Sequence, residues 1–346
     1  MKIGIIGAGS MGRGIAQVAA TAGHDVYLYD SNSDALKSAS DYLEHILNKL
    51  AKKGKMTEAE ANEILHRIHY VEKKLDDLQG CSLVIEAIIE DLDIKKSVFR
   101  QVQEVISDQC ILATNTSSLS VAAIASACEQ PERVLGIHFF NPAPLMKLVE
   151  IIPAVQTSAE TLEQGRKLID SWGKTTVLAK DTPGFIVNRV ARPFYGEALR
   201  ILEEGIADAA TIDWAMTEIG GFRMGPFTLM DFMGHDVNYK VTETVFEAFF
   251  YDPRYKPSFT QKRMAEAGYL GRKSGRGFYN YAEGAEQLTP TENETLGEQI
   301  VRRVVVMLIN EAADAVFWNI ATRDDIDLAM TKSVNYPQAL LQWADE

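Results

Sequence analysis

No stretch of this chain approaches the roughly twenty uncharged apolar residues that a bilayer-spanning helix requires, so a membrane span is not expected. Cysteine is scarce. Cys81, Cys110 and Cys128 form no Cys-x-x-Cys pair, and an odd number in 346 residues suits free thiols in a reducing compartment, which points to the cytoplasm. Positive charge is also short. With 35 lysines and arginines against 48 acidic residues, the net charge of −13 repels nucleic acid and anionic lipid over most of the surface. Any anionic substrate therefore needs a local basic patch. The opening Met1-Lys2-Ile3-Gly4-Ile5-Ile6-Gly7 is too short an apolar run for a signal peptide and reads as a first strand.

What is present suits two domains, since the length exceeds the usual single-domain size. From Met1 to about Lys180, short β-branched runs alternate with helical segments, the mark of a parallel, doubly wound sheet. Expected strands are Lys2 to Ile6, Val26 to Tyr29, Leu83 to Ala87, Cys110 to Ala113, Val134 to His138, Leu148 to Ile152 and Thr175 to Ala179. A polar insertion at about 34–67 carries Leu36, Tyr42, Leu43, Ile46, Leu47 and Leu50 at helical spacing. Gly54 stops that helix, and Thr57 with Glu60 has the capping-box spacing that starts a second, so a helical hairpin is expected.

Asp181-Thr182-Pro183-Gly184-Phe185 breaks the alternation, and the remainder reads as helices over Ile186 to Glu204, Asp208 to Ile219, Met224 to Phe250 and Glu298 to Phe317. A repeat runs through it. At an offset of 114, Glu197 matches Glu311, Ala198 matches Ala312, Ile212-Asp213 matches Ile326-Asp327, Ala215-Met216 matches Ala329-Met330 and Asp231 matches Asp345. Domains are accordingly expected at 1–183, 184–285 and, as a partial second copy of the helical module, 295–346. An end at Glu346 suits a fragment or a trimmed chain.

Gly7-Ala8-Gly9-Ser10-Met11-Gly12 follows the first strand and opens a helix, the arrangement of a dinucleotide-binding loop. Gly7 makes the turn, Gly9 lets the backbone approach a pyrophosphate, and Gly12 lets helix and strand pack; Ser10 and Met11 begin the helix whose N-terminus faces the phosphates. A glycine triplet alone can be no more than a turn. Here Asp30, ending the second strand, stands where a carboxylate accepts hydrogen bonds from ribose hydroxyls and repels a 2′-phosphate, which favours NAD over NADP. The fold class is therefore α/β: an N-terminal Rossmann-type doubly wound sheet with a helical hairpin insertion, followed by an all-α C-terminal domain.

Removing hydride from a secondary alcohol needs a base for the hydroxyl proton, and histidine suits it. His24, His45, His66 and His69 sit in polar contexts expected to be exposed, and His66-x-x-His69 lacks the further ligands of a metal site. His138 ends a strand at the carboxyl edge of the sheet. About a dozen residues on, Glu150 lies in an otherwise apolar strand, where a buried carboxylate needs a partner, and His138 is the economical one. A strand-end histidine taken alone is more often structural, and a strand glutamate can simply face solvent.

Gly136-Ile137-His138-Phe139-Phe140-Asn141-Pro142, Asn115-Thr116-Ser117-Ser118-Leu119, Val84-Ile85-Glu86-Ala87, Asp181-Thr182-Pro183-Gly184-Phe185-Ile186-Val187-Asn188-Arg189 and Gly271-Arg272-Lys273-Ser274-Gly275-Arg276-Gly277-Phe278-Tyr279 together resemble the 3-hydroxyacyl-CoA dehydrogenases, in order and spacing. The resemblance spans essentially the whole chain. It implies reversible NAD-dependent oxidation of an (S)-3-hydroxyacyl-CoA, with His138 as base, Glu150 as its partner, and Ser117 and Asn188 holding the reacting oxygen in an interdomain cleft. It further implies Glu90, Lys95 and Asn115 beside the cofactor, and a hairpin that grips coenzyme A through Lys49, Lys52, Lys53 and Lys55; such a cluster can also merely solvate a helix end. Arg302 stands in the second copy where the first has Asn188, so a second active site is not expected.

Among relatives, the chain resembles longer bacterial members with a duplicated C-terminal module, including 3-hydroxybutyryl-CoA and 3-hydroxyadipyl-CoA dehydrogenases. Two competing readings are a gulonate dehydrogenase similar to lambda-crystallins, against which the lysine-bearing hairpin weighs, and a noncatalytic NAD binder. A homodimer is expected from the helical domain.

Overall fold

The structure is a computed structural model that describes residues 1–72 and 74–345, so the chain end at Glu346 and the last position of the expected second copy lie outside the described residues. It divides into two compact units, Met1–Phe185 and Ile186–Glu346.

The first unit is built on one eight-stranded sheet: β1 (Lys2–Ile6), β2 (Asp25–Tyr29), β3 (Ile68–Val71), β4 (Leu83–Glu86), β5 (Ile111–Thr114), β6 (Val134–Phe139), β7 (Leu148–Pro153) and β8 (Thr175–Leu178), in the order β3-β2-β1-β4-β5-β6-β7-β8. Its central strands read as continuous apolar runs because helices cover both faces; every residue of β4, β5 and β6 is buried.

The sheet departs from expectation twice. β3, Ile-His-Tyr-Val, is an added edge strand beside β2, too short and too polar for its alternation to stand out. β7 runs antiparallel to β6, because the segment between them, Phe140 to Lys147, is too short for the crossover that parallel neighbours need. Without that reversal, His138 and Glu150 would not be directly opposed.

After β1 comes α1 (Ser10–Thr21), and after β2 the expected hairpin, α2 (Ser33–Lys52) and α3 (Glu58–His66). Asn32 caps α2 by accepting from Asp34 N at 2.9 Å. Gly54 turns the chain at φ +68°, a left-handed conformation suited to glycine. Thr57 Oγ1 accepts from Glu60 N at 3.1 Å while Glu60 Oε2 accepts from Thr57 N at 2.6 Å, which completes the capping box. Leu36, Leu43 and Leu47 of α2 and Ile64 of α3 are buried in the same core as β1 and β2.

The second unit is helical. Two helices expected to be continuous are each broken. Val187–Val190 is separated from Arg192–Glu203, where Pro193 lacks an N–H and its ring displaces the preceding turn. Pro226–Met233 is separated from His235–Ala248 by Gly234 at φ +98°.

The duplication is visible bond by bond. Asp208 caps its helix by accepting from Thr211 N, and Thr322, 114 residues on, accepts from Asp325 N. Asp213 accepts from Phe227 N and Asp327 from Leu341 N, both at the same offset. The two copies also face each other reciprocally: Arg189 Nε bonds Glu311 Oε1 at 2.8 Å, and its counterpart Arg303 Nε bonds Glu197 Oε2 at 3.0 Å, the counterpart of Glu311. Phe222 stacks edge-on against its own equivalent, Tyr336, at 5.1 Å. This is the i-to-j, j-to-i pattern of a two-fold interface, closed within one chain.

Candidate active site

β1 and β4 are adjacent while the chain leaves them toward opposite edges, so the crevice beyond their carboxyl ends is the topological switch point at which such sheets bind ligands. Three glycines shape it differently. A Cβ on Gly7, which has φ +103°, would stand 2.6 Å from Ala87 O, and one on Gly12 would stand 1.7 Å from Gly7 O, so both are demanded by the protein's own packing. Gly9 is not: a Cβ there would meet nothing within 4 Å. A side chain at Gly9 would fill only the space above the helix N-terminus, where a pyrophosphate fits.

Asp30 closes the floor of this loop. Its Oδ2 accepts from Ala8 N at 2.7 Å and its Oδ1 from Asn32 N at 2.9 Å, while the residue stays half-exposed. Ser10 donates to Asn141 Oδ1 at 3.3 Å, and half-buried Met11 packs on the core. The set fits an adenine dinucleotide with free ribose hydroxyls.

Beyond β4 lies a carboxylate–ammonium–carboxylate chain. Glu86 Oε1 accepts from Lys95 Nζ at 2.6 Å and from Ile88 N at 2.7 Å, and its Oε2 accepts from Thr114 Oγ1 at 2.7 Å. Lys95 Nζ also lies 3.3 Å from Glu90 Oε2. Glu90 Oε1 in turn accepts from Thr116 Oγ1 at 2.6 Å, Ser117 N at 2.9 Å and Ser118 N at 3.1 Å. Desolvation pushes the Glu90 carboxyl upward, but Lys95 and these hydrogen bonds outweigh it and hold its pKa below the ordinary value. Lys95 is 1% exposed, so almost no surface is left for a ligand and its influence runs through Glu90. Glu86, quoted in the sequence only as part of a motif, was given no role there. Its signal was a lone carboxylate ending the apolar strand Leu83-Val84-Ile85.

The same turn is tied to the next strand. Asn115 Oδ1 accepts from Phe139 N at 2.8 Å, which docks the Ser117 loop against the end of β6, and Ser117 Oγ lies 3.3 Å from Glu90 Oε1. One residue earlier on β6, His138 sits opposite Glu150 on β7. His138 Nδ1 and Glu150 Oε2 are 2.6 Å apart, with Glu150 fully buried. Phe140 and Phe185 flank the imidazole at ring separations of 4.5 and 5.7 Å. An ionised carboxylate on Nδ1 fixes the proton there and turns Nε2 into the acceptor, which is the tautomer a base requires.

Of the other histidines, His45, His66 and His69 are exposed. His24 is a correction: it is half-buried beside the Trp172 ring at 5.7 Å, and desolvation lowers its pKa. His235 is wholly buried in the second unit, its Nε2 2.7 Å from Asp231 Oδ1, a structural pair that the sequence reading left out. Asn188 also belongs to the second unit, in Val187–Val190, and its carbonyl accepts from Arg192 Nε at 3.0 Å. Lys49 and Lys52 end α2, Lys53 caps it, and all three with Lys55 are exposed; Asp41 and Glu44 line the same groove as Lys49 and Lys52.

The family model described as 3-hydroxyacyl-CoA dehydrogenase, NAD binding domain, matches residues 2–182, and the one described as 3-hydroxyacyl-CoA dehydrogenase, C-terminal domain, matches 184–281 and 300–346. The chain is 38% identical to the 3-hydroxyadipyl-CoA dehydrogenase of Escherichia coli K12, over 99% of this chain and 90% of that one. It is 43% identical to a probable 3-hydroxybutyryl-CoA dehydrogenase of Deinococcus radiodurans, over 81% of this chain and all of the relative. Among solved structures, a 3-hydroxybutyryl-CoA dehydrogenase from Escherichia coli K12 superposes with a TM-score of 0.94 at 37% identity, covering 100% of this chain and 91% of that chain.

Proposed function

The chain belongs to the 3-hydroxyacyl-CoA dehydrogenase family, and from that premise we propose that it interconverts short-chain (S)-3-hydroxyacyl-CoA, such as 3-hydroxybutyryl-CoA, and 3-ketoacyl-CoA with NAD. One observation carries the reading: a buried histidine–carboxylate pair at 2.6 Å, at the carboxyl edge of the sheet whose first turn is the dinucleotide loop. NAD, when bound, supplies the hydride acceptor. Gly7, Gly9, Ser10, Met11 and Gly12 are assigned to its pyrophosphate, Asp30 to the ribose, and Asn115 and Glu90, backed by Lys95, to the nicotinamide end.

His138 takes the hydroxyl proton at Nε2, and Glu150 stabilises the imidazolium that results. The Ser117 hydroxyl is assigned to the reacting oxygen, which it can bond in both the alcohol and the carbonyl state. Asn188 is assigned the second bond to that oxygen on the family resemblance. Lys49, Lys52 and Lys53 are assigned to the coenzyme A phosphates and supply the basic patch that an acidic protein requires. A cytoplasmic location and a homodimer complete the proposal; light scattering checks the dimer.

The test is NADH consumption with a 3-ketoacyl-CoA and with the corresponding free 3-keto acid. Turnover of the thioester alone is expected. Preference for the free acid would replace this reading with the gulonate-dehydrogenase one. Oxidation of a 3-hydroxyadipyl thioester is a second reading, named by the Escherichia coli relative.

A further inference from the structure

The segment Phe140 to Lys147 joins β6 to β7, the strands that set His138 opposite Glu150, and it touches both parts of the candidate site in the first unit. Phe140 packs on the imidazole at a ring separation of 4.5 Å. Asn141 Oδ1 accepts from Ser10 at the start of α1. Further along, Ala143 and Pro144 lie so close to α1 that a Cβ on Gly14 would stand 3.3 Å from Ala143 Cβ and 3.4 Å from Pro144 Cδ.

This segment has few bonds of its own to hold it there. Pro142 and Pro144 have no N–H to donate, and Leu145 N at 3.0 Å and Met146 N at 3.1 Å both go to Pro142 O. The hold comes from outside the segment. Lys174, in the turn between the helix Ala159–Ser171 and β8, donates from Nζ to Ala143 O at 2.6 Å and to Met146 O at 2.8 Å. Beside it, Thr175 N bonds Lys147 O at 2.9 Å.

Lysine is ordinarily left in water or paired with an acid. Lys174 is half-buried, and among the described residues no carboxylate pairs with it. Asp170, four residues back, is committed to Thr176, whose N lies at 3.2 Å and Oγ1 at 2.8 Å. Desolvation with no acid to offset it pulls the Lys174 pKa down to about 8. Its donors therefore serve the two carbonyls, in charge-assisted bonds that are stronger than neutral ones.

Building on the function proposed above, we infer that Lys174 is a positioning residue for the base: its ammonium clamps the β6–β7 connection and so fixes the Phe140 ring against the imidazole of His138. It acts on the base only through that segment. A loosened segment lets ring and imidazole drift, and a misplacement on the order of 1 Å at a reacting group costs up to about 10²-fold in rate.

The experiment measures NADH consumption with 3-ketobutyryl-CoA, NAD affinity by titration and thermal stability, in wild-type protein, Lys174→Met and Lys174→Arg. Lys174→Met keeps an unbranched stem and removes the donors. It is expected to lower kcat about tenfold while KM for the thioester and the NAD dissociation constant stay within about twofold, the split shown by a group that acts on the transition state and not on ground-state binding. Lys174→Arg supplies charged donors again and should recover most of that kcat. An unchanged kcat in Lys174→Met, a fall matched by equal losses of NAD affinity and thermal stability, or no recovery in Lys174→Arg overturns the inference and leaves the dehydrogenase reading standing. No turnover of the thioester by the wild type overturns both.

Discussion

At the residue scale, the proposed chemistry rests on His138 and on the Glu150 carboxylate opposite it. His138→Ala is expected to lower turnover by about 10²–10⁴-fold with NAD affinity nearly intact, since no part of the dinucleotide loop is touched; turnover and cofactor titration together check this. Glu150→Gln keeps the shape but removes the carboxylate proposed to hold the tautomer. It should slow turnover and displace the pH–rate profile, and an unmoved profile would remove the dyad. Both residues were legible in the sequence because each violates its surroundings: a histidine at a strand's carboxyl end, a carboxylate inside an apolar strand. Lys95 was legible only as a residue near the cofactor. That it is buried between Glu86 and Glu90, steadying the Ser117 turn, depends on contacts between strands 28 residues apart and could not be read from spacing.

Individual elements carry two further consequences. If α2 grips coenzyme A, replacing Lys49, Lys52 and Lys53 together by alanine should raise KM for the thioester about tenfold while kcat holds, and added salt should weaken wild-type binding in the same direction. A KM that does not move would return the cluster to the role of a solvated helix end.

In the second unit, Asp231 gathers His235 Nε2 at 2.7 Å, Phe278 N at 2.9 Å, Tyr279 N at 3.0 Å and Tyr281 OH at 3.0 Å. Desolvation alone would raise its pKa, but these hydrogen bonds prevail and lower it. A depressed folded-state pKa stabilises above the unfolded value and is lost as pH falls through the folded one. Asp231→Asn should therefore cost about 2–3 kcal/mol near neutrality, with the gap to wild type narrowing below about pH 4 in denaturant titrations.

At the scale of the whole molecule, the duplicated helical module supplies both halves of a two-fold contact. Arg189 and Glu311 are 4% and 3% exposed at the side chain, and removing the Glu311 carboxylate strips an acceptor from Arg189 Nε and from Tyr255 OH while Asp314 Oδ2 still holds Arg189 Nη2 at 2.7 Å. Glu311→Ala should destabilise the protein by about 2–3 kcal/mol in equilibrium unfolding, more than Glu197→Ala, whose partners Arg200 and Arg303 are each one-third exposed. Equal and small losses would mean that the reciprocal pairs merely decorate the interface.

Local signals in the sequence were enough for the glycine loop and its aspartate, the helical hairpin with its capping box, the repeat at an offset of 114, and the histidine and glutamate of the candidate site, because each depends on residues close in sequence or on a residue out of place among its neighbours. Only tertiary structure decided the antiparallel turn of β7 that sets His138 opposite Glu150, the edge strand β3, the breaks at Pro193 and Gly234, and the burial of Lys95. Those features follow from strand pairing, desolvation and helix packing, and such quantities exist only once distant segments meet.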